Sequence, residues 1–336
     1  ASKSNNPKRS KKEKNQNSSN KININNSQKE EDTSIMSLLW EGIVNIFKSE
    51  DNKDQKISQN NNKIKYQYCN CKITHSKEYC DNIYYLMQML KNDIDPKKSK
   101  ILYENLLKVH ENSLDINGEN LRQIKKDLSR TYPSNTIFKD DRILQKLKNV
   151  LRAFSNYDNS IKYFQGMNFI VGFFLYHCDE YIAFWLFVAL LEEYDLRPIF
   201  MTNFPGLKLH VKRVELILQK EYENIWKVFV KFGVKVEIFM VEWVFSLFSS
   251  LIPLELQMDF YKGFFSQGWI FFYKMCISSV LNLNGGYFEV DEIYMALKCG
   301  KNDDRMKEQE VKDNWKKIIQ KAYSLKIKTE IGRAHV

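Results

Sequence analysis

Three apolar stretches, residues 169–191, 238–254 and 263–283, decide what this chain can become. Each has the look of a membrane span, and each is interrupted before it could serve as one. The first meets "HCDEY" after eight apolar residues, well short of the roughly 20 that cross a hydrocarbon core. The second carries Glu242 and ends at Pro253, and the third carries Gln267 and Lys274. Apolar residues recur at helical spacing, without strand-type alternation, and only 12 Gly and 6 Pro occur in 336 residues. The runs therefore predict buried helices of one large all-α domain. A chain that is 43% hydrophobic and 14% aromatic can supply its core.

Residues 1–64 differ in kind. Rich in Asn, Lys and Ser, they cannot bury enough apolar surface to offset the entropy of ordering, and they predict a mostly disordered basic and polar tail. Within it, "SIMSLLWEGIVNIFKSE" places Ile35, Leu38, Leu39, Trp40, Ile43, Val44, Ile46 and Phe47 on a wide helical face. That pattern predicts a short amphipathic helix near 35–48, able to dock on the folded domain or to lie on a membrane or partner. The net charge of +10 leans on the opening "ASKSNNPKRSKKEKNQNSSNK", which contains no aromatic residue. Such a tail can adhere to acidic surfaces but offers nothing to stack on bases, so no specific nucleic-acid binding is expected. The first residues lack the apolar core of a secretory signal, and the six cysteines are irregularly spaced. A reducing, cytoplasmic setting follows. Cys69, Cys71, His75 and Cys80 could in principle bind zinc, yet their C-x-C spacing is not that of a zinc knuckle and no second pair follows. Ordinary thiols are expected, with no metal. The last six residues, "IGRAHV" (331–336), back-translate into the start of a widely used sequencing adapter and are expected to be foreign to the natural chain.

Two polar motifs interrupt the apolar pattern. In "LRQIKKDLSRTYPSNTIF", Leu121, Ile124 and Leu128 share a helical face, which puts Asp127 toward its edge and Arg130 at its end. Thr131, Tyr132 and Pro133 then predict a stop, because proline restricts the residue before it. Arg130 is delivered at a helix-to-loop junction, where it can reach outward or pair with Asp127 and the helix dipole. In "NSIKYFQGMNFIVGFFLYH", Gln165 and Asn168 stand at the mouth of an apolar run, with Gly166 marking a bend or a close approach. A buried amide must find partners or cost about 1–3 kcal/mol. The pair is either a capped helix entrance or an amide presented to another molecule.

Together, "IKKDLSRTYP" (I-x-x-D-x-x-R-T-[FY]-P) and "YFQGMN" (Y-x-Q-G-M-N) resemble the TBC domain, the module of Rab-family GTPase-activating proteins. The likeness continues through "AFWLFVALLEEYDLRPIFMTNFPGLKLHVKRVELILQ" and "KFGVKVEIFMVEWVFSLFSSLIPLELQMDFYKGFFSQG", from about residue 95 to 300. The resemblance implies a two-lobed helical domain over about 80–325. It also implies an arginine finger, Arg130, and a glutamine finger, Gln165, offered in trans to a GTP-bound Rab-family GTPase. Asp127 would orient the Arg130 loop, Thr131 and Pro133 would fix its exit, Tyr163 and Asn168 would brace the glutamine loop, and Gly166 would let backbones approach. Trp243 and Phe248 are expected in the core. No cofactor of its own is implied, since the partner carries GTP and Mg2+. The protein would not be a stand-alone enzyme; it would act in vesicle traffic, cytoplasmic or peripheral on endomembranes. Two departures stand out. The family's opening Gly-Ile/Val-Pro and Arg…Trp are missing from "YCDNIYYLMQMLKNDIDPKKSK", and Tyr261-Lys262 replaces the Trp-Asp of its third motif. They leave open an alternative, an inactive adaptor that binds a small GTPase or a tethering partner.

Overall fold

A computed structural model describes residues 86, 96–108, 118–283, 289–298 and 307–328. All lie in one unit, 61–336. The tail, the helix expected near 35–48, the cysteine cluster at 69–80 and residues 331–336 fall outside the described residues. Every regular element described is helical, and no strand occurs among the described residues.

Helix α1 (Pro96–Lys108) opens on a proline, whose missing N–H would be unpaired there in any case. α2 (Glu119–Leu128) follows Gly118, which adopts a left-handed φ of 62°. A 3-10 turn (Thr136–Lys139) leads to α3 (Asp141–Tyr157), started by the Asp140 carboxylate accepting from the Arg142 N–H at 2.9 Å. The apolar run 169–191 divides into α4 (Met167–His177) and α5 (Glu180–Glu193), parted at Cys178 and Asp179. Both are apolar nearly all round and are buried almost throughout, as such helices must be. α3 packs against α1, α2, α4 and α5.

The second half begins with the short α6 (Arg197–Phe200) and continues through α7 (Pro205–Glu221), α8 (Glu223–Phe232) and α9 (Val236–Ser246). The run 238–254 breaks at Leu247 and Phe248, both with positive φ (45° and 59°), and a 3-10 turn (Leu254–Leu256) comes next. The run 263–283 is divided at Gly268 between α10 (Gln257–Gln267) and α11 (Trp269–Val280). α12 (Val290–Leu297) carries a Glu289/Glu292 capping box, and α13 (Glu308–Ser324) packs on α10 and α11. Among the described residues, no helix is long and apolar enough to cross a membrane. Trp243 and Phe248 are core residues, with ring centroids 4.9 Å apart, and Trp315 of α13 closes on Phe248. Tyr261, which stands where the family's tryptophan was expected, is fully buried. It stacks on Phe173 at 4.1 Å and its hydroxyl meets that of Ser249 at 2.9 Å.

α9 ties the two halves of the domain together. It packs against both α4 and α7, and so brings the second half up to the start of α4.

Candidate functional site

The arginine segment departs from the sequence expectation in one respect. Asp127 lies in the buried face of α2 beside Ile124, rather than at its edge. The helix ends at Leu128, ahead of the region that Pro133 restricts. Its last turn closes through Arg130 N–H to the Asp127 carbonyl (3.2 Å) and Thr131 N–H to the Leu128 carbonyl (3.2 Å). The buried Thr131 hydroxyl donates to the Asp127 carbonyl as well, at 2.9 Å. The Thr131 hydroxyl thus satisfies a carbonyl of the last turn, while Pro133, itself exposed, restricts Tyr132 from the helical region. Tyr132 comes next, with a φ of 47°, a conformation that an L-residue holds only when its surroundings compel it. Arg130 points outward: its side chain is 67% exposed, and its nearest carboxylate, Asp127 Oδ1, is 3.8 Å away, beyond hydrogen-bond reach.

The glutamine segment runs from Asp158, at the end of α3, to Asn168 in the first turn of α4. Its entrance is tied down by Arg197, whose guanidinium meets Asp158 Oδ2 (2.5 Å), Glu192 Oε1 (2.9 Å) and the Ser160 hydroxyl (2.9 Å). At the tip, Gly166 has a φ of 119°, and a Cβ there would stand 2.6 Å from the Phe245 carbonyl oxygen of α9. Only glycine permits both the angle and the approach. Phe164 lies parallel on Phe245, with centroids 5.5 Å apart, and Phe204 meets both rings edge-on. Gln165, between Phe164 and Gly166, is exposed, and among the described residues its carboxamide makes no hydrogen bond.

Buried hydrogen bonds fasten the two segments to each other. Asn168 donates from Nδ2 to the Thr131 hydroxyl (2.8 Å) and accepts the Gly166 N–H on Oδ1 (3.0 Å). Tyr163 donates its hydroxyl to Asp127 Oδ2 at 2.9 Å. Burial, and then the Asp127 carboxylate, hold that phenol well above its ordinary pKa, so it stays protonated and remains a donor. Each such bond contributes about 1 kcal/mol net, and its loss would strand a buried partner at greater cost. Asp127, Thr131, Tyr163, Gly166 and Asn168 are therefore consumed in one internal network. Arg130 and Gln165, on the same two segments, face outward with a guanidinium and a carboxamide. The first offers a planar fork of donors, the second a donor and an acceptor together. Among the described residues, no group of His, Cys, Asp and Glu could hold a metal ion.

Two contributors, Phe245 and Gln257, have no counterpart in the sequence expectations, and Tyr132 figures in them only as part of the helix stop. Phe245 seats the glutamine tip. Tyr132 turns the chain just after Arg130, its ring against Phe138 and Phe169. Gln257 accepts from the Tyr132 hydroxyl at 2.9 Å, although 125 residues separate them. The tyrosine is visible in the motif, but nothing local in the sequence announces a partner so distant.

A model of the Rab-GTPase-TBC domain family matches residues 87–285. The Rab GTPase-activating protein eat-17 of Caenorhabditis elegans is 30% identical over 203 residues, covering 58% of this chain and 23% of that protein. The GTPase-activating protein GYP5 of Saccharomyces cerevisiae is 26% identical over 174 residues, 52% of this chain and 19% of that one. The chain thus spans less than a quarter of either relative's length. Among solved structures, the Ypt/Rab-GAP domain of Gyp1p superposes with a TM-score of 0.56 at 16% identity, covering 71% of this chain and 80% of that one. The Chlamydomonas flagellar RabGAP TBC domain gives 0.55 at 16% identity, with 87% and 91% covered. At that identity the likeness bears on the fold alone.

Proposed function

The chain belongs to the Rab-GTPase-TBC domain family, and from that premise we propose that it activates a Rab-family small GTPase, lending Arg130 and Gln165 to GTP hydrolysis on its partner. Phosphoryl transfer asks little covalent chemistry of a protein. It needs a positioned water and neutralisation of the charge that spreads over the transferring group. The Arg130 guanidinium can meet phosphate oxygens with two parallel N–H donors, an effect worth on the order of 10³–10⁵ in rate when an arginine is supplied in trans. The Gln165 carboxamide can accept a hydrogen from the attacking water while donating to the phosphate, which neither a carboxylate nor an ammonium can do.

One observation carries this reading. Arg130 and Gln165, whose side chains make no hydrogen bond among the described residues, extend outward from one buried network in which Asp127, Thr131, Tyr163, Gly166 and Asn168 are committed to each other. A purely structural network has no need of two such exposed tips. In this reading GTP and Mg2+ arrive with the GTPase, the chain brings no cofactor, and its action belongs to vesicle traffic on the cytoplasmic face of endomembranes. The third-motif departure fits as well, since Tyr261 is absorbed into the core instead of leaving a gap. The test is phosphate release from a panel of GTP-loaded Rab proteins with the full chain added in catalytic amounts. Stimulation of at least one Rab, abolished by Arg130→Ala, supports the proposal. Binding without stimulation across the panel would instead favour an adaptor.

A further inference from the structure

Gln257 lies at the start of α10, fully buried, far from Arg130 in sequence and outside both polar motifs. Its Nε2 donates to two backbone carbonyls of the α9–α10 connection, Ser249 (2.8 Å) and Ile252 (2.8 Å). Those two bonds decide which way the amide faces, and so they aim its oxygen at the Tyr132 hydroxyl. That hydroxyl has a single hydrogen, shared between Gln257 Oε1 (2.9 Å) and the Phe169 carbonyl (2.7 Å) in α4. Tyr132 is the residue held at a φ of 47°, two positions after Arg130. Such a backbone costs about 1–3 kcal/mol and persists only where the surroundings over-determine it. Here they do, through two ring contacts and two hydroxyl contacts. The Gly172 side of α4 adds a fifth constraint, since a Cβ there would come within 2.9 Å of the Tyr132 ring.

We infer that Gln257 is a positioning residue for Arg130, which it sets by pinning Tyr132 to the α9–α10 connection. The inference rests on the role proposed for Arg130 in GTP hydrolysis. The same stretch of chain reaches the other tip, because Phe245, at the end of α9, abuts Gly166 and stacks on Phe164. Residues 245–257 therefore touch both segments from the second half of the domain, one through an aromatic stack and one through an amide. Gln257 touches neither nucleotide nor GTPase in this arrangement; it acts through Tyr132.

Tyr132→Phe keeps the ring and every backbone bond of Gln257 while removing the hydroxyl's contacts to Gln257 and to the Phe169 carbonyl. Measured with the full chain on the Rab it stimulates most, kcat should fall about tenfold with KM unchanged, the pattern of a displaced catalytic group. Gln257→Leu, which spares the Phe169 bond, should lower kcat in the same way, and the double variant should lower kcat little further, since the Tyr132–Gln257 bond is lost in both. In an Arg130→Ala background, Tyr132→Phe should lower kcat no further, whereas a general loss of structure would lower it in both backgrounds. Amide hydrogen exchange supplies a readout independent of activity: residues 129–134 should exchange faster in Tyr132→Phe, while 163–168 stay as in wild type. Unchanged kcat, an equal loss in the Arg130→Ala background, or unaltered exchange at 129–134 each overturns the inference. If Arg130→Ala itself proves harmless, the proposed function fails first and takes this inference with it.

Discussion

Replacing Gly166 with alanine would put a methyl group where the backbone of α9 already stands. The new Cβ would lie 2.6 Å from the Phe245 oxygen and 2.8 Å from its carbonyl carbon, both main-chain atoms that cannot rotate away. α9 cannot easily retreat, because Phe239, Met240, Trp243 and Val244 are buried in the core behind it. The glutamine turn has to move instead. The φ of 119° adds strain of about 1–3 kcal/mol for a side chain that rarely adopts it, and overpacking against α9 adds about 1–3 kcal/mol more. A domain of this size loses roughly 2–4 °C of Tm per kcal/mol, so the expected drop is on the order of 10 °C. Gly233 is the matched control. Its φ of 69° is also left-handed, but nothing stands within 4 Å of a Cβ there, so alanine should cost only about 1–2 kcal/mol. Thermal unfolding by circular dichroism measures both. GTP hydrolysis below the lower Tm should fall more than about tenfold for Gly166→Ala, because its tip is displaced, and little for Gly233→Ala. A Gly166→Ala protein as stable as Gly233→Ala, or one that retains full stimulation, would refute the close-approach argument.

Arg130→Lys keeps the charge but loses the planar fork, so stimulated hydrolysis should drop at least about tenfold, with unchanged helix content by circular dichroism. Asn168→Ala removes one of the buried links between the segments and strands the buried Gly166 N–H; urea unfolding should show a loss of about 1–3 kcal/mol, accompanied by reduced stimulation. Stability should also depend on two buried histidines. Burial, and then Arg213, bring His210 down to about 3, while burial, and then Lys262, bring His177 down to about 4. The unfolded chain, with ordinary histidine pKa values near 6.5, therefore takes up these protons first as pH falls. Their contribution is full above about pH 6.5 and is lost as pH falls from there toward the folded values, by about 2 kcal/mol per histidine at pH 5. His210→Phe should flatten the urea-unfolding profile between pH 7 and 5; an unchanged slope would show that His210 is not held neutral.

The helical class is readable from composition and period, because helices apolar all round leave no alternative to burial, and α4 and α5 are such helices. Arg130, Gln165 and their immediate supports are readable because each motif is local: Asp127, Thr131 and Arg130 lie within one turn, as do Gly166 and Asn168. Where the sequence misleads, the cause is tertiary. Asp127 reads as an edge residue of its helix, since no local pattern shows that Tyr163, 36 residues on, will donate to it and make its burial tolerable. The bond by which Thr131 closes the helix end is likewise hidden, because a side-chain bond to the preceding turn leaves no mark in spacing. Tyr132, Gln257 and Phe245 depend on contacts across roughly 80 to 125 residues, and a left-handed tyrosine violates the local preference that sequence reasoning uses.

Cooperation between Arg130 and Gln165 on one transition state is the central claim. Single-turnover hydrolysis of a GTP-loaded Rab with wild type, Arg130→Ala, Gln165→Ala and the double variant tests it most directly. Each single substitution should lower the stimulated rate steeply, and the double variant should be barely slower than the worse single one, as for groups acting as a unit. Affinity for the GTP-bound Rab should fall far less than turnover, because these groups act as charge develops. Strictly multiplicative losses, or full stimulation by either single variant, would contradict it.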